Sequence, residues 1–78
     1  MKWTPEELAN FLNRRNIPPK SYSLYSDKDD AFCLDSTNGE WVIYYSERGH
    51  KHELGWAKSE SQALNLLKLF LLEAYKQI

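Results

Sequence analysis

The stretch Glu40-Trp41-Val42-Ile43-Tyr44-Tyr45-Ser46-Glu47-Arg48-Gly49 decides how this chain folds. Asn38-Gly39, just before it, is a dipeptide that favours a two-residue hairpin turn, because both positions accept positive φ. Gly49 breaks the run at its far end. Within it, Trp41, Ile43 and Tyr45 alternate onto one face, and Val42 and Tyr44 onto the other. A strand apolar on both faces belongs inside a sheet, with its second face either covered or used for contact.

Three further strands can be read around it. Tyr22-Ser23-Leu24-Tyr25 alternates, and the polar run Ser26 to Asp30 turns the chain. Ala31 to Asp35 is the second strand and pairs with the central one through Asn38-Gly39. Glu47 to Glu53 reads as a loop around Gly49, leaving Leu54 to Ala57 as the fourth strand. Strict alternation then puts Tyr22, Leu24, Phe32, Leu34, Trp41, Ile43, Tyr45, Leu54 and Trp56 on one apolar face. The opposite face carries Ser23, Tyr25, Ala31, Cys33, Asp35, Val42, Tyr44, Gly55 and Ala57. The first face is a core; the second is small residues around two tyrosines.

Helices flank the strands. Thr4, Pro5 and Glu7 form a capping box, and Trp3 with Leu8 has the spacing of a hydrophobic staple. Leu8, Phe11 and Leu12 make one stripe, and Pro18-Pro19 ends the helix. Ser59 and Gln62 cap the last helix, whose broad face holds Ala63, Leu64, Leu67, Phe70, Leu71, Ala74, Tyr75 and Ile78. Leu69 and Leu72 fall on its polar side. The expected fold is therefore a single α+β domain over residues 1–78, a two-layer sandwich in the order α-β-β-β-β-α. Its four-stranded sheet is expected to be antiparallel, with both helices on one face and the other face open.

Composition narrows the function. A 78-residue chain buries roughly 60–65% of its unfolded surface, enough for one thin core but not a deep catalytic cleft. Hydrophobic content of 42% marks a globular chain, and a net charge of −1 argues against general nucleic-acid binding. No apolar run approaches the roughly 20 residues of a membrane span, and the first residues lack the apolar segment of a signal peptide. A single cysteine, Cys33, forms no internal disulfide, which fits a reducing cytoplasm. His50 and His52 flank Lys51, but two ligands without a third do not make a structural metal site. Asp27, Asp29 and Asp30 resemble half of a calcium loop and lack its later glutamate. No Gly-rich phosphate loop is present, so neither an enzyme nor a cofactor or metal is expected.

Charge is uneven along the chain. Between Asp27 and Glu60, eight acids face four bases, whereas the two ends are net basic. An acidic, tyrosine-bearing patch would attract a basic protein, its charge speeding encounter and its tyrosines anchoring the complex. Solvated hairpin acids are the plainer reading of the same residues.

The string Tyr44-Tyr45-Ser46-Glu47-Arg48-Gly49-His50-Lys51 is similar to a Tyr-Tyr-x-Glu-Arg-Gly-x-Lys signature in short bacterial immunity proteins of polymorphic-toxin and contact-dependent growth inhibition systems. The likeness extends to Ser21-Tyr22-Ser23-Leu24, to Asn38-Gly39-Glu40-Trp41 and to Ser59-Glu60-Ser61-Gln62-Ala63. It implies a cytoplasmic, non-enzymatic inhibitor that binds the C-terminal domain of a cognate toxin, frequently a nuclease. The expected contact residues are Tyr25, Asp27, Asp29, Asp30, Asp35, Val42, Tyr44, Glu47 and Arg48. Glu47 and Arg48 also admit a structural reading, in which they tie their loop to a neighbouring element. Two rival functions stand beside the inhibitor. One is an RNA-binding module with the element order of a double-stranded-RNA-binding domain, against which the opening Ser59-Glu60-Ser61-Gln62 of the last helix argues, since a phosphate clamp needs lysines there. The other is a homodimer or assembly subunit joined through Leu69 and Leu72 or through the open sheet. Direct nucleic-acid and membrane partners are not expected.

Overall fold

A computed structural model of the chain describes residues 3–76. Helix α1 (Pro5–Arg14) opens as its sequence dictates. The Glu7 amide donates to the Thr4 hydroxyl at 3.2 Å, and the Thr4 amide donates to the Glu7 carboxylate at 3.2 Å. This reciprocal pair satisfies amides that every helix start leaves orphaned. The helix stops before the prolines demand it. Asn16 adopts φ 60°, its amide donates to Asn13 O, and the Ile17 amide donates to Leu12 O. That is a Schellman C-terminus with Ile17 as its buried apolar member. A 3-10 turn over Pro19–Ser21 then leads into the sheet.

The strands are β1 (Tyr22–Leu24), β2 (Ala31–Thr37), β3 (Glu40–Glu47) and β4 (His50–Ala57), hydrogen-bonded in that order, and α2 (Glu60–Ala74) closes the chain. One core joins Leu8 and Leu12 of α1, Leu34 and Ile43 of the sheet, and Ala63, Leu64, Leu67 and Leu71 of α2. The architecture is thus α+β, with the expected element order and both helices on one side.

The sheet is mixed, not antiparallel. β1 runs parallel to β2, with Tyr22 opposite Phe32 and Leu24 opposite Leu34. Parallel neighbours usually need a crossover of a dozen or more residues. Here β1 is so short that residues 25–30 suffice, because the return spans only roughly 10 Å. Tyr25 and Asp30 take φ 67° and 57° at the two ends of this return.

The segment expected as a loop from Glu47 to Glu53 is mostly strand. Arg48-Gly49 (φ 50° and 81°) repeats the geometry of Asn38-Gly39 (φ 52° and 81°), so two tight hairpins flank β3. Glycine costs nothing sterically at such a position, whereas arginine does. Arg48→Gly is expected to raise stability by about 0.5–1 kcal/mol in urea melts, the relief of strain exceeding the added chain entropy. A loss of stability would instead reveal a structural contact of the guanidinium.

β4 also departs from strict alternation. Tyr44 pairs with Glu53 and Ile43 with Gly55, which leaves Leu54 as the extra residue of a β-bulge. Gly55 and Ala57 therefore face α2, and Trp56 turns to the opposite side beside Val42. Leu54 and Trp56, expected in the core, are exposed. The helix side explains why Gly55 sits there: a Cβ on it would lie 2.9 Å from Leu66 Cδ2.

Ser59 caps α2 by accepting the Gln62 amide at 3.2 Å, while Gln62 Oε1 accepts the Lys58 amide at 3.4 Å, not the Ser59 amide. Leu72 is buried at 5% exposure although the helical wheel placed it on the polar side. α1 packs beside α2 and widens the covered arc beyond what the sheet alone would cover. Leu69 stays exposed, as do Ala74 and Tyr75. The expected apolar role of Ile78 lies outside the described residues.

Candidate functional site: the open face of the sheet

Side chains on the face away from the helices come from alternate positions of β2, β3 and β4. Ala31, Cys33, Asp35 and Thr37 stand on β2; Glu40, Val42, Tyr44 and Ser46 lie opposite them on β3. Lys51, Glu53 and Trp56 complete the face from β4. Half of it is covered by the chain itself. Ala31, Cys33, Val42 and Tyr44 form a second small buried cluster, over which residues 25–30 run as a strap.

The strap is pinned by hydrogen bonds. The Tyr44 hydroxyl donates to Asp27 Oδ1 at 3.2 Å, and Cys33 Sγ lies 3.6 Å from Lys28 O as a donor. The Arg48 amide donates to Asp29 Oδ1 at 2.6 Å, and the Asp30 amide donates to Ser46 O at 2.7 Å. Lys51 Nζ lies 5.1 Å from the centre of the Tyr44 ring, a cation–π contact. These contacts give most of the Tyr44–Lys51 string an architectural role. Tyr44 anchors the strap, Arg48-Gly49 makes the turn, and Lys51 packs over the tyrosine. It is the Arg48 backbone, not its side chain, that ties the turn to its neighbour.

Burial pushes the Tyr44 hydroxyl to a higher pKa, reinforced by the nearby Cys33 and Asp27, and burial likewise raises the Cys33 thiol. A folded value above the unfolded one, about 10 for tyrosine, means that Tyr44 stabilises the fold fully below that pH. Its contribution is lost as the pH rises from about 10 towards the raised folded value. Denaturant melts are expected to show a steep loss of stability above about pH 10, and Tyr44→Phe to flatten it. An unchanged slope in that variant would remove Tyr44 as its source.

The expected contact residues divide into two groups. Tyr25 is not on this face: its positive φ ends the alternation of β1, and its hydroxyl donates to Glu60 at the start of α2. Asp27 and Asp29 hold the strap, Asp30 sits at its end, and Val42 and Tyr44 lie beneath the surface. Glu47 and Arg48 are exposed at the distal hairpin. Only Asp35, with the edge of Val42 and Tyr44, lines the concave part of the face.

That part is a depression of about 250 Å³ lined by Asp35, Thr37, Val42, Tyr44, Lys51, Glu53 and Trp56. Trp56 is 48% exposed, more than any other large apolar residue described. Its indole N–H donates to Glu53 Oε1 at 3.4 Å. The bulge creates this pairing, because residues three apart on a regular strand point to opposite faces. Trp56, Glu53 and Lys51 were not among the expected contacts. Gly55 within a strand was the available signal, since an interior glycine often marks a bulge.

Among the described residues, no group of three or more His, Cys, Asp or Glu side chains is placed to hold a metal ion, and no helix is long and apolar enough to cross a membrane. Comparison with protein-family models, curated proteins and solved structures finds no match.

Proposed function

We propose that this chain is a non-enzymatic immunity protein that binds and neutralises the basic C-terminal domain of a toxin in the bacterial cytoplasm. The observation that carries the proposal is Trp56, a half-exposed tryptophan on β4 that lines a concave face together with the carboxylates of Asp35 and Glu53. Tryptophan is enriched at interfaces relative to the rest of the surface and frequent at their energetic centre. Acids around it favour a basic partner and disfavour nucleic acid. The likeness of residues 44–51 to immunity proteins supports the same role, with the string building the scaffold beneath the contact face.

Affinity purification of the tagged chain from its source cells tests the reading, with mass spectrometry of what is retained. The expected result is one stoichiometric protein ending in a basic domain, retained by the wild type and lost in a Trp56→Ala/Asp35→Lys variant. Retention of nucleic acid without a protein partner would overturn the proposal in favour of RNA binding.

A further inference from the structure

We infer that the depression beside Trp56 is a binding site for one arginine side chain of the partner. This rests on the reading of the open face as the partner-facing surface, and it specifies what enters it.

The volume sets the scale. About 250 Å³ lies just under the range of drug-sized ligand pockets and is enough for one long side chain. The lining sets the charge. Asp35 reaches the depression from β2, opposite Val42, and Glu53 from β4, opposite Tyr44. Asp35 Oδ1 accepts the Ser36 amide at 2.8 Å, and its second oxygen has no hydrogen-bond partner among the described residues. Glu40 adds a further acid on the same face. Lys51 supplies the one cation in the lining, and it is already placed over the Tyr44 ring.

The chain's own lysine thus shows what this surface accepts: a cation over an aromatic ring, beside carboxylates. Trp56 repeats that arrangement with no cation in place. Its N–H is engaged by Glu53, so what the indole offers a partner is its π-system. A guanidinium suits such a site better than an ammonium. It stacks flat on an indole, is weakly hydrated, and donates in a fork to a carboxylate. The Lys51 ammonium also disfavours a second compact point charge more than a delocalised one.

The test uses capped single amino acids and the full chain. N-acetyl-arginine amide, N-acetyl-lysine amide and N-acetyl-citrulline amide are titrated separately into isotope-labelled protein, following the Trp56 indole N–H resonance. Trp56→Phe identifies that signal among the three tryptophans. Arginine amide is expected to move it saturably, with Kd on the order of 10 mM. Citrulline amide, which has nearly the same shape without the charge, is expected to bind at least about fivefold more weakly, and lysine amide to fall between them. Asp35→Asn should reduce the arginine response and leave the spectrum otherwise folded. Equal shifts with arginine and citrulline, or no saturable shift, would overturn the inference. If arginine fails while partner capture still depends on Trp56, the inhibitor reading survives and the side-chain assignment does not. If arginine binds but the partner docks elsewhere, the reverse holds.

Discussion

Trp56→Ala is expected to weaken partner binding by about 30-fold or more, while costing the fold no more than about 1–2 kcal/mol. The two numbers have one origin. The indole is half exposed and faces away from the core beneath α2, so folding gains only part of what its full burial would give. A partner that covers it would gain the burial of a large aromatic side chain together with its cation–π contact. Replacement of Asp35 or Glu53 by lysine should add a second, salt-sensitive loss, felt mainly in the association rate. Calorimetric titration and a thermal melt on the same variant separate the effects. A variant that melts early and binds normally would make Trp56 a structural residue.

The second large effect concerns the cluster beneath the strap. Tyr44→Ala is expected to destabilise the fold by about 3 kcal/mol, a drop in Tm of roughly 12–24 °C for a domain of this size. Tyr44 is 3% exposed, its hydroxyl holds Asp27, and its ring carries Lys51. Removal of the ring opens a void beside Cys33 and releases the strap at one anchor. Tyr44→Phe keeps the ring and loses only the hydrogen bond, so a cost of about 1 kcal/mol is expected. If both variants cost the same, the ring contributes nothing, and the second cluster is not a core.

Much of the fold was legible in the chain. The capping residues Thr4, Glu7 and Ser59 mark both helix starts, Asn38-Gly39 marks the central hairpin, and the alternation around Ile43 marks the core side of β3. Each signal acts over a few residues, and nothing distant competes with it. What alternation could not show was the direction of β1. Tyr22 to Leu24 has the same pattern whether the strand runs parallel or antiparallel, and only the return of residues 25–30 decides it. The site depended on a similar event. A bulge at Leu54, with Leu66 packed onto Gly55, moved Trp56 from the expected core to the open face. The acids at 27 and 29, conspicuous by composition, turned out to be strap anchors. Asp35 kept its place because no irregularity separates it from the β2–β3 ladder.

In the proposed function, a basic partner docks on the open face, centred on Trp56. Chemical-shift mapping of the labelled chain against its captured partner locates that interface residue by residue. The largest changes are expected on Asp35, Thr37, Glu53 and Trp56, with little change along α1 or the exposed side of α2 around Leu69. Changes centred on Leu69 and Tyr75, with the Trp56 indole signal unmoved, would contradict it.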